Sequence, residues 1–107
     1  MRLQYTPQAI ADLQEIRSYI QHDLQNPKAA AKISKTILDT CAILKDHPKA
    51  GFSLQAKTGR ETDFRGLVIA NYLAFYRITG SEISLVRVLD GRQDYIRVLF
   101  SDPNKTT

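Results

Sequence analysis

Cationic side chains that could bind a phosphate are concentrated in the second half of the chain. Residues 49–107 hold nine basic and six acidic side chains, whereas residues 1–48 hold six and five. Six of the eight arginines lie in this second half, and arginine suits phosphate and carboxylate recognition because its planar guanidinium donates two parallel hydrogen bonds. The cationic candidates are Lys57, Arg60, Arg65, Arg77, Arg87 and Arg92, and Tyr95 adds a phenolic hydroxyl.

These residue types fit metal-independent cleavage of RNA. Such a ribonuclease needs a base for the 2′-hydroxyl, an acid for the leaving group and cations around the phosphate. The candidates for these catalytic roles are Arg65, Arg77, Arg87, Arg92 and Tyr95. Arg77 and Arg87 fall on two strands predicted to pair, so they share a patch if the register allows. The competing interpretation is a solvated surface of ion pairs, for example Arg87 with Asp90 or Glu82.

Other classes of site are not expected. The sequence has no P-loop, GxGxxG, HExxH or CxxC motif, so we expect no cofactor. His22 and His47 lie at the ends of different predicted helices, without a partner at metal-ligand spacing. Neither histidine lies near a plausible serine nucleophile. A metal site or a Ser-His-Asp hydrolase is therefore not predicted.

Length and composition predict one domain over residues 1–100, followed by a flexible tail at 101–107. No apolar run of about 18 residues is present, so no membrane helix is expected. The start, MRLQYTPQ, lacks the apolar core of a signal peptide. The single cysteine, Cys41, excludes an internal disulfide and fits the apolar face of a helix. We therefore expect a cytoplasmic protein.

The first half must provide two helices. Thr6-Pro7 and Asn26-Pro27 are start signals, because Thr and Asn cap free N–H groups and proline tolerates the first helical position. The first apolar stripe is Leu13, Ile16, Ile20 and Leu24, and the second is Ala30, Ile33, Ile37, Cys41 and Leu44. Since the connection is short, the two helices should form an antiparallel hairpin.

The second half must provide the sheet. Residues 52–63 show no clear period and predict an exposed loop. Strands are predicted at 67–69, 72–79 and 83–89, with a tight turn at Gly80-Ser81 and a short closing element at 92–100. With a short first strand at residues 2–5, the predicted class is α+β. Its order is β-α-α-β-β-β, with the helical hairpin packed on an antiparallel sheet.

An ordered set of short pieces in this sequence resembles the RelE/ParE superfamily of type II toxins. The resemblance covers about residues 3–97, and the long hairpin and the ending VLDGRQD favour the ParE branch. The matching pieces are Tyr5-Thr6-Pro7, Ala11-Asp12-Leu13, Ile16, Tyr19-Ile20, Pro48, Gly51, Arg65-Gly66-Leu67, Asn71-Tyr72, Phe75-Tyr76-Arg77-Ile78, Val86-Arg87-Val88-Leu89 and Gly91-Arg92-Gln93-Asp94.

This resemblance implies a growth-inhibiting toxin of a plasmid-stabilising module, bound and neutralised by an antitoxin whose acidic segment is disordered until it docks. ParE-like members poison DNA gyrase without being nucleases, whereas RelE-like members cut messenger RNA on the ribosome. A third alternative is an inactive toxin that serves only as its antitoxin's co-repressor partner. Under the gyrase hypothesis the target-binding candidates are Lys57, Arg60, Arg65, Arg87, Arg92 and Arg97.

Two departures weaken the nuclease hypothesis. RelE-type enzymes carry an arginine directly after the tyrosine of the third-strand motif, and here Leu73 follows Tyr72. Many relatives have a histidine where this chain has Asp90, and an aspartate repels phosphate. The sequence therefore favours gyrase poisoning and leaves enzymatic activity open.

Overall fold

The main elements of the computed structural model, which describes residues 1–101, are two long helices and a five-stranded sheet. The strands are β1 (Arg2–Tyr5), β2 (Phe52–Ser53), β3 (Arg65–Ile69), β4 (Tyr72–Thr79) and β5 (Glu82–Asp90). The helices are α1 (Pro7–Ser18), α2 (Pro27–Ala42), α3 (Leu54–Thr58) and α4 (Tyr95–Phe100). The predicted α+β class is confirmed.

Both long helices begin at the predicted caps. The Thr6 hydroxyl accepts a hydrogen bond from the backbone N–H of Ala9 (3.1 Å) and donates one to the Val86 carbonyl (3.0 Å). The Asn26 side chain accepts one from the N–H of Ala29 (3.1 Å). The Thr6 cap therefore starts α1 and also ties it to β5.

The end of the first helix differs from the predicted stripe. A π-helical turn spans Tyr19–Asp23, and the N–H of Leu24 donates to the carbonyl of Tyr19 five residues earlier (3.1 Å). The wider turn changes the direction of the following side chains. Ile20 is buried as predicted, but Leu24 is 56% exposed.

The sheet has the strand order β1-β5-β4-β3-β2. Its strands pair antiparallel except β1, which lies parallel to β5 with Leu3 opposite Ile83. The predicted antiparallel pattern thus holds for β3 to β5 and not for β1, because β1 is joined through the helical hairpin to β2, a strand that was not predicted, at the far edge of the sheet. The β4–β5 register shifts at Phe75/Tyr76, which leaves Val86 as an extra residue in β5.

The helices cover one face of the sheet and form the main core, called here the helix-side core. Its buried members are Ala9, Ile37, Cys41, Leu44, Ile69, Ala74, Tyr76, Ile83, Leu85 and Val88. The second predicted stripe supplies Ile37, Cys41 and Leu44, which are fully buried. The predicted core position of Cys41 is confirmed.

A smaller cluster lies on the opposite face, since β4 side chains alternate between the two faces. Its buried members are Leu54, Phe75 and Leu89, and the partly buried ones are Phe52, Phe64, Leu73, Tyr95, Ile96, Val98, Leu99 and Phe100. We call it the C-terminal cluster, because α4 covers it. The segment 52–63 is not the fully exposed loop that was predicted, since β2 and α3 lie there and bury Leu54.

The described chain ends just past α4. Ser101 follows that helix without helix or strand structure, and residues 102–107 of the predicted tail lie outside the described residues. Within residues 1–101 we find no helix with the length and hydropathy needed to span a membrane.

Candidate functional site

Arg87 is held by a carboxylate that the sequence did not single out as its partner. Its Nε and Nη2 atoms donate to Oδ2 and Oδ1 of Asp12 at 2.8 and 3.0 Å. The backbone N–H of Val88 also donates to Asp12 Oδ2, at 2.9 Å, and Asp12 is only 6% exposed. Arg87 is therefore paired with α1, rather than with Asp90 or Glu82, and this clamp joins α1 to β5.

Arg65 is engaged by backbone carbonyls of the loop that precedes β2. Its Nε and Nη2 donate to the Gly51 carbonyl at 3.1 and 2.8 Å, and Nη2 also reaches the Lys49 carbonyl at 3.3 Å. The Tyr76 hydroxyl donates to the Pro48 carbonyl (2.7 Å) and accepts from the N–H of Gly51 (2.9 Å). A Cβ at Gly51 would lie 2.7 Å from the Gly66 carbonyl oxygen, so this close approach requires glycine.

Arg77 is paired with Asp63 outside the helix-side core. Its Nε contacts both carboxylate oxygens at 3.1 and 3.2 Å, and Nη2 donates to Oδ2 at 3.1 Å. Its guanidinium carbon lies 5.2 Å from the ring centroid of Phe64, a member of the C-terminal cluster. Arg87 instead reaches α1. The predicted shared patch of Arg77 and Arg87 is therefore not formed by their guanidinium groups.

Arg92 forms an ion pair with Asp90, and its side chain is more exposed than those of the ion-paired Arg77 and Arg87. Its backbone N–H donates to Asp90 Oδ1 at 2.9 Å, and its Nε and Nη2 bind the two carboxylate oxygens at 3.2 Å each. The Arg92 side chain is 92% exposed. These hydrogen bonds lower the pKa of Asp90 below its ordinary value, and Asp90 in turn raises the pKa of Arg92.

The remaining candidates lie around the C-terminal cluster. The Tyr95 ring packs 5.2 Å from the ring of Phe75, which places it in the apolar cover of the sheet. Lys57 Nζ lies 4.6 Å from the ring of Phe52, and the Arg60 guanidinium lies 4.1 Å from the ring of Phe100. Lys57, Arg60 and Arg97 are exposed, so they form a cationic rim around α3 and α4.

An open groove runs between the tip of the helical hairpin and the end of the sheet. Its volume is about 980 Å³, and its walls come from the first turns of α2, the π-helical turn, the β3–β4 turn and residues 90–92. Val68, Leu24 and Tyr19 line it and are 63%, 56% and 52% exposed. Sequence reasoning missed this groove, because Leu24 was assigned to the apolar stripe of the first helix and Val68 only to a short strand.

Four of the candidate arginines are hydrogen-bonded within the chain. Each of Arg65, Arg77, Arg87 and Arg92 donates hydrogen bonds from Nε and Nη2 to oxygens of the same chain. In the described part of the chain, no three His, Cys, Asp or Glu side chains form a group suited to a metal ion. What remains accessible is the cationic rim and the groove.

The chain is similar to known proteins of one family. The family described as "ParE toxin of type II toxin-antitoxin system, parDE" matches residues 3–95. A solved structure described as a chromosomal ParDE toxin-antitoxin system from P. aeruginosa is similar, with a TM-score of 0.71 and 25% sequence identity over 84% of this chain and 95% of that one. No functionally curated protein matches the sequence. Because the family match spans nearly the whole chain, this protein belongs to the ParE toxin family of type II toxin-antitoxin systems.

Proposed function

We propose that this chain inhibits growth by binding and poisoning DNA gyrase in the cytoplasm, and that an antitoxin neutralises it by docking on its surface. Membership of the ParE family implies the antitoxin partner. The observation that carries the gyrase proposal is the internal pairing of Arg65, Arg77, Arg87 and Arg92. Arginines that are separately bound to carboxylates and carbonyls of their own chain offer a phosphate fewer free donors than a converging set of unpaired ones.

The pairing of Arg87 argues most strongly against a phosphate clamp. Its partner Asp12 is buried and also satisfies the N–H of Val88, so removing Arg87 from it leaves a buried carboxylate short of donors. That cost makes release of the guanidinium to a substrate unfavourable. Arg87 therefore serves the fold, and the same holds for Arg65 through its loop carbonyls.

The proposed target surface is the cationic rim of Lys57, Arg60 and Arg97 together with α4. These side chains are exposed, and two of them lie on phenylalanine rings that hold their stems in place. An ordered cation loses less side-chain entropy on binding than a free one. A surface of this kind suits an acidic patch on a protein target.

The proposal is tested with DNA supercoiling and DNA cleavage assays of gyrase with ATP and purified toxin freed from its antitoxin. We expect loss of supercoiling and stabilised double-strand breaks. Arg97→Glu should reduce both effects about tenfold, because charge reversal at a binding surface repels the partner. Lys45→Glu is the matched control, since Lys45 is also exposed and lies beyond α2 on the helical side.

The rival activity is cleavage of messenger RNA on the ribosome. Toxin that is folded and toxic in cells but leaves gyrase unaffected would refute the gyrase proposal. Cleaved transcripts, lost on Arg92→Ala, would then support the nuclease alternative. Harmless overexpression of a folded chain would support an inactive co-repressor partner.

A further inference from the structure

We infer that Phe64 and Arg77 are positioning residues of the proposed target surface, and that they place Arg60 to bind a carboxylate of the target. They act through Phe100 at the end of α4, because the Arg60 guanidinium lies on the Phe100 ring. Neither positioning residue belongs to the cationic rim itself. The assignment rests on the proposed function in taking gyrase as the target.

Four side chains touch one another in series, with an arginine at each end and two rings between them. The Arg60 guanidinium carbon lies 4.1 Å from the ring centroid of Phe100. The Phe100 and Phe64 centroids are 5.7 Å apart, with their planes tilted by 57°. The Arg77 guanidinium carbon lies 5.2 Å from the Phe64 centroid. These separations are those of cation–π and aromatic contacts. We call the set the cation–ring series, and it links four separate segments of the chain.

Helix α4 is held on the sheet by apolar and aromatic contacts. It has six residues, none of them buried, and so short a helix has little stability of its own. Within residues 1–101, no hydrogen bond or ion pair joins α4 to another element beyond its own cap, Asp94. Its two ends contact rings, since Tyr95 lies 5.2 Å from Phe75 and Phe100 lies 5.7 Å from Phe64. The Phe64 ring therefore helps to fix the end of α4.

Phe64 and Arg77 are themselves fixed to the body of the domain. The Phe64 carbonyl accepts a hydrogen bond from the N–H of the fully buried Leu54 (3.1 Å), and the Phe64 N–H donates to the Thr62 hydroxyl (3.2 Å). Arg77 lies in β4, and its guanidinium binds both carboxylate oxygens of Asp63. Two-point binding to a carboxylate fixes the plane of a guanidinium. These two residues are therefore a rigid support for α4.

The two arginines of the series differ in their free donors. The Arg77 guanidinium is occupied by Asp63. Within residues 1–101, the Arg60 guanidinium makes no hydrogen bond and no ion pair, while the Arg60 backbone N–H donates to the Thr58 hydroxyl at 3.2 Å. Arg60 is therefore held in place by its ring contact and still has donors for a carboxylate. Arg77 serves to position it.

The alternative is that the series only stabilises the fold. The side chains of Arg77 and Asp63 are 49% and 56% exposed. Exposed ion pairs contribute little to stability, because water screens them. Substitution of Arg77 should therefore change target binding more than it changes unfolding. This difference separates a positioning role from a stabilising one.

The test measures inhibition of gyrase supercoiling by the full-length toxin, freed from its antitoxin, together with urea unfolding of the same variants. Arg60→Gln should raise the toxin concentration for half-inhibition about tenfold, because the target carboxylate loses its partner. Phe64→Leu should raise it about three- to tenfold, since leucine keeps an apolar side chain but lacks the ring. Phe64→Tyr keeps the ring and should restore most of that loss. Arg77→Gln should raise it about two- to threefold.

Double variants test whether these residues act together. Phe64→Leu combined with Arg60→Gln should cost less than the product of the two single factors, because both act on one contact. Lys57→Gln is the matched control, since Lys57 lies 4.6 Å from the ring of Phe52, outside the series. Its factor should multiply with that of Phe64→Leu. Full multiplication in both pairs would overturn the inference, as would losses of inhibition that match the losses in unfolding free energy.

Amide hydrogen exchange measures the positioning of α4 without the target. In Phe64→Leu the hydrogen-bonded amides of α4 should exchange about fivefold faster, whereas those of β4 should keep the wild-type rate. Unchanged exchange in α4 would overturn the positioning role. A folded wild-type chain that leaves gyrase unaffected would refute the proposed function and the assignment of Arg60 as a target contact. In that case the exchange rates still decide whether Phe64 positions α4.

Discussion

The two faces of the sheet are covered in different ways. The helix-side core contains ten buried residues from α1, from α2 and the turn that follows it, and from the three strands β3, β4 and β5, together with the buried Asp12 that clamps Arg87. The C-terminal cluster contains three buried residues and eight partly buried ones, and α4, which covers it, has no buried residue at all. The helix-covered face therefore contributes most of the buried core. The opposite face carries a thin apolar layer with exposed cationic side chains around it.

This difference separates stability from recognition. Arg65 and Arg87 donate hydrogen bonds that hold the loop before β2 and helix α1 in place. Lys57, Arg60 and Arg97 surround the cover formed by α4 and remain accessible. A charge on the helix side is thus expected to affect unfolding, and a charge on the C-terminal side is expected to affect binding.

The largest expected effect is at the clamp. Asp12→Ala leaves the Arg87 guanidinium and the Val88 N–H without their partner, and breaking a buried ion pair from one side costs about 3–5 kcal/mol. Urea unfolding should show this loss in the free energy of unfolding. Glu15→Ala, at an exposed position of the same helix, is the control and should change little. A loss below about 1 kcal/mol for Asp12→Ala would contradict the structural role assigned to the clamp.

A pair of leucine-sized truncations compares the two faces directly. Ile37 is fully buried in the helix-side core, and Ile37→Ala should cost about 2–5 kcal/mol through lost contacts and a cavity. Leu99 is only partly buried in α4, so Leu99→Ala should cost less than half as much. Both values come from the same urea titrations. Equal losses would show that α4 contributes to the fold as strongly as α2 does.

The smallest expected effect is a dependence of stability on alkaline pH that belongs to the helix side. Burial raises the pKa of Tyr5 and of Cys41, and Cys41 adds to the increase for Tyr5. The unfolded chain ionises these groups near their ordinary values of 10.0 and 9.0, while the folded chain keeps them protonated. This contribution to stability is therefore complete below about pH 9 and is lost as pH rises further.

Tyr5→Phe provides the comparison. Between about pH 9 and 11 the free energy of unfolding of this variant should fall less steeply than that of the wild type. In the wild type both the Tyr5 hydroxyl and the Cys41 thiol lose a proton on unfolding, whereas in the variant only the Cys41 thiol does. Chemical denaturation at several pH values measures both slopes. Parallel slopes would exclude Tyr5 as a source of the alkaline loss.

Local signals in the sequence predicted the elements well. Thr6-Pro7 and Asn26-Pro27 begin the two helices, and the stripe from Ala30 to Leu44 meets the core because such spacing places side chains on one face. The strands after residue 64 and the short final helix also lie close to their predicted positions. These features depend on neighbours within about four residues.

Long-range features were not predictable from the same signals. The Asp12–Arg87 clamp joins residues 75 apart in sequence, and the residues next to either one do not indicate which side chain it pairs with. The extra residue Val86 changes which β5 side chains face each core, and the parallel pairing of β1 depends on the path of the whole hairpin. The groove arises only when the hairpin tip meets the end of the sheet. Candidate arginines could be named from sequence, but their partners could not.

The parallel pairing of β1 with β5 also sets the order in which a newly made chain can fold. Residues 2–5 emerge from the ribosome well before their partners, residues 82–85, and the clamp on α1 waits for Arg87. Contacts between such distant positions form late, since a long loop must close first. The helical hairpin is therefore synthesised before its supporting sheet, which is complete only when β5 has been made. Synthesis that stops before β5 leaves a fragment with an unpaired first strand and an uncovered apolar helix face, a substrate for proteolysis rather than a folded protein.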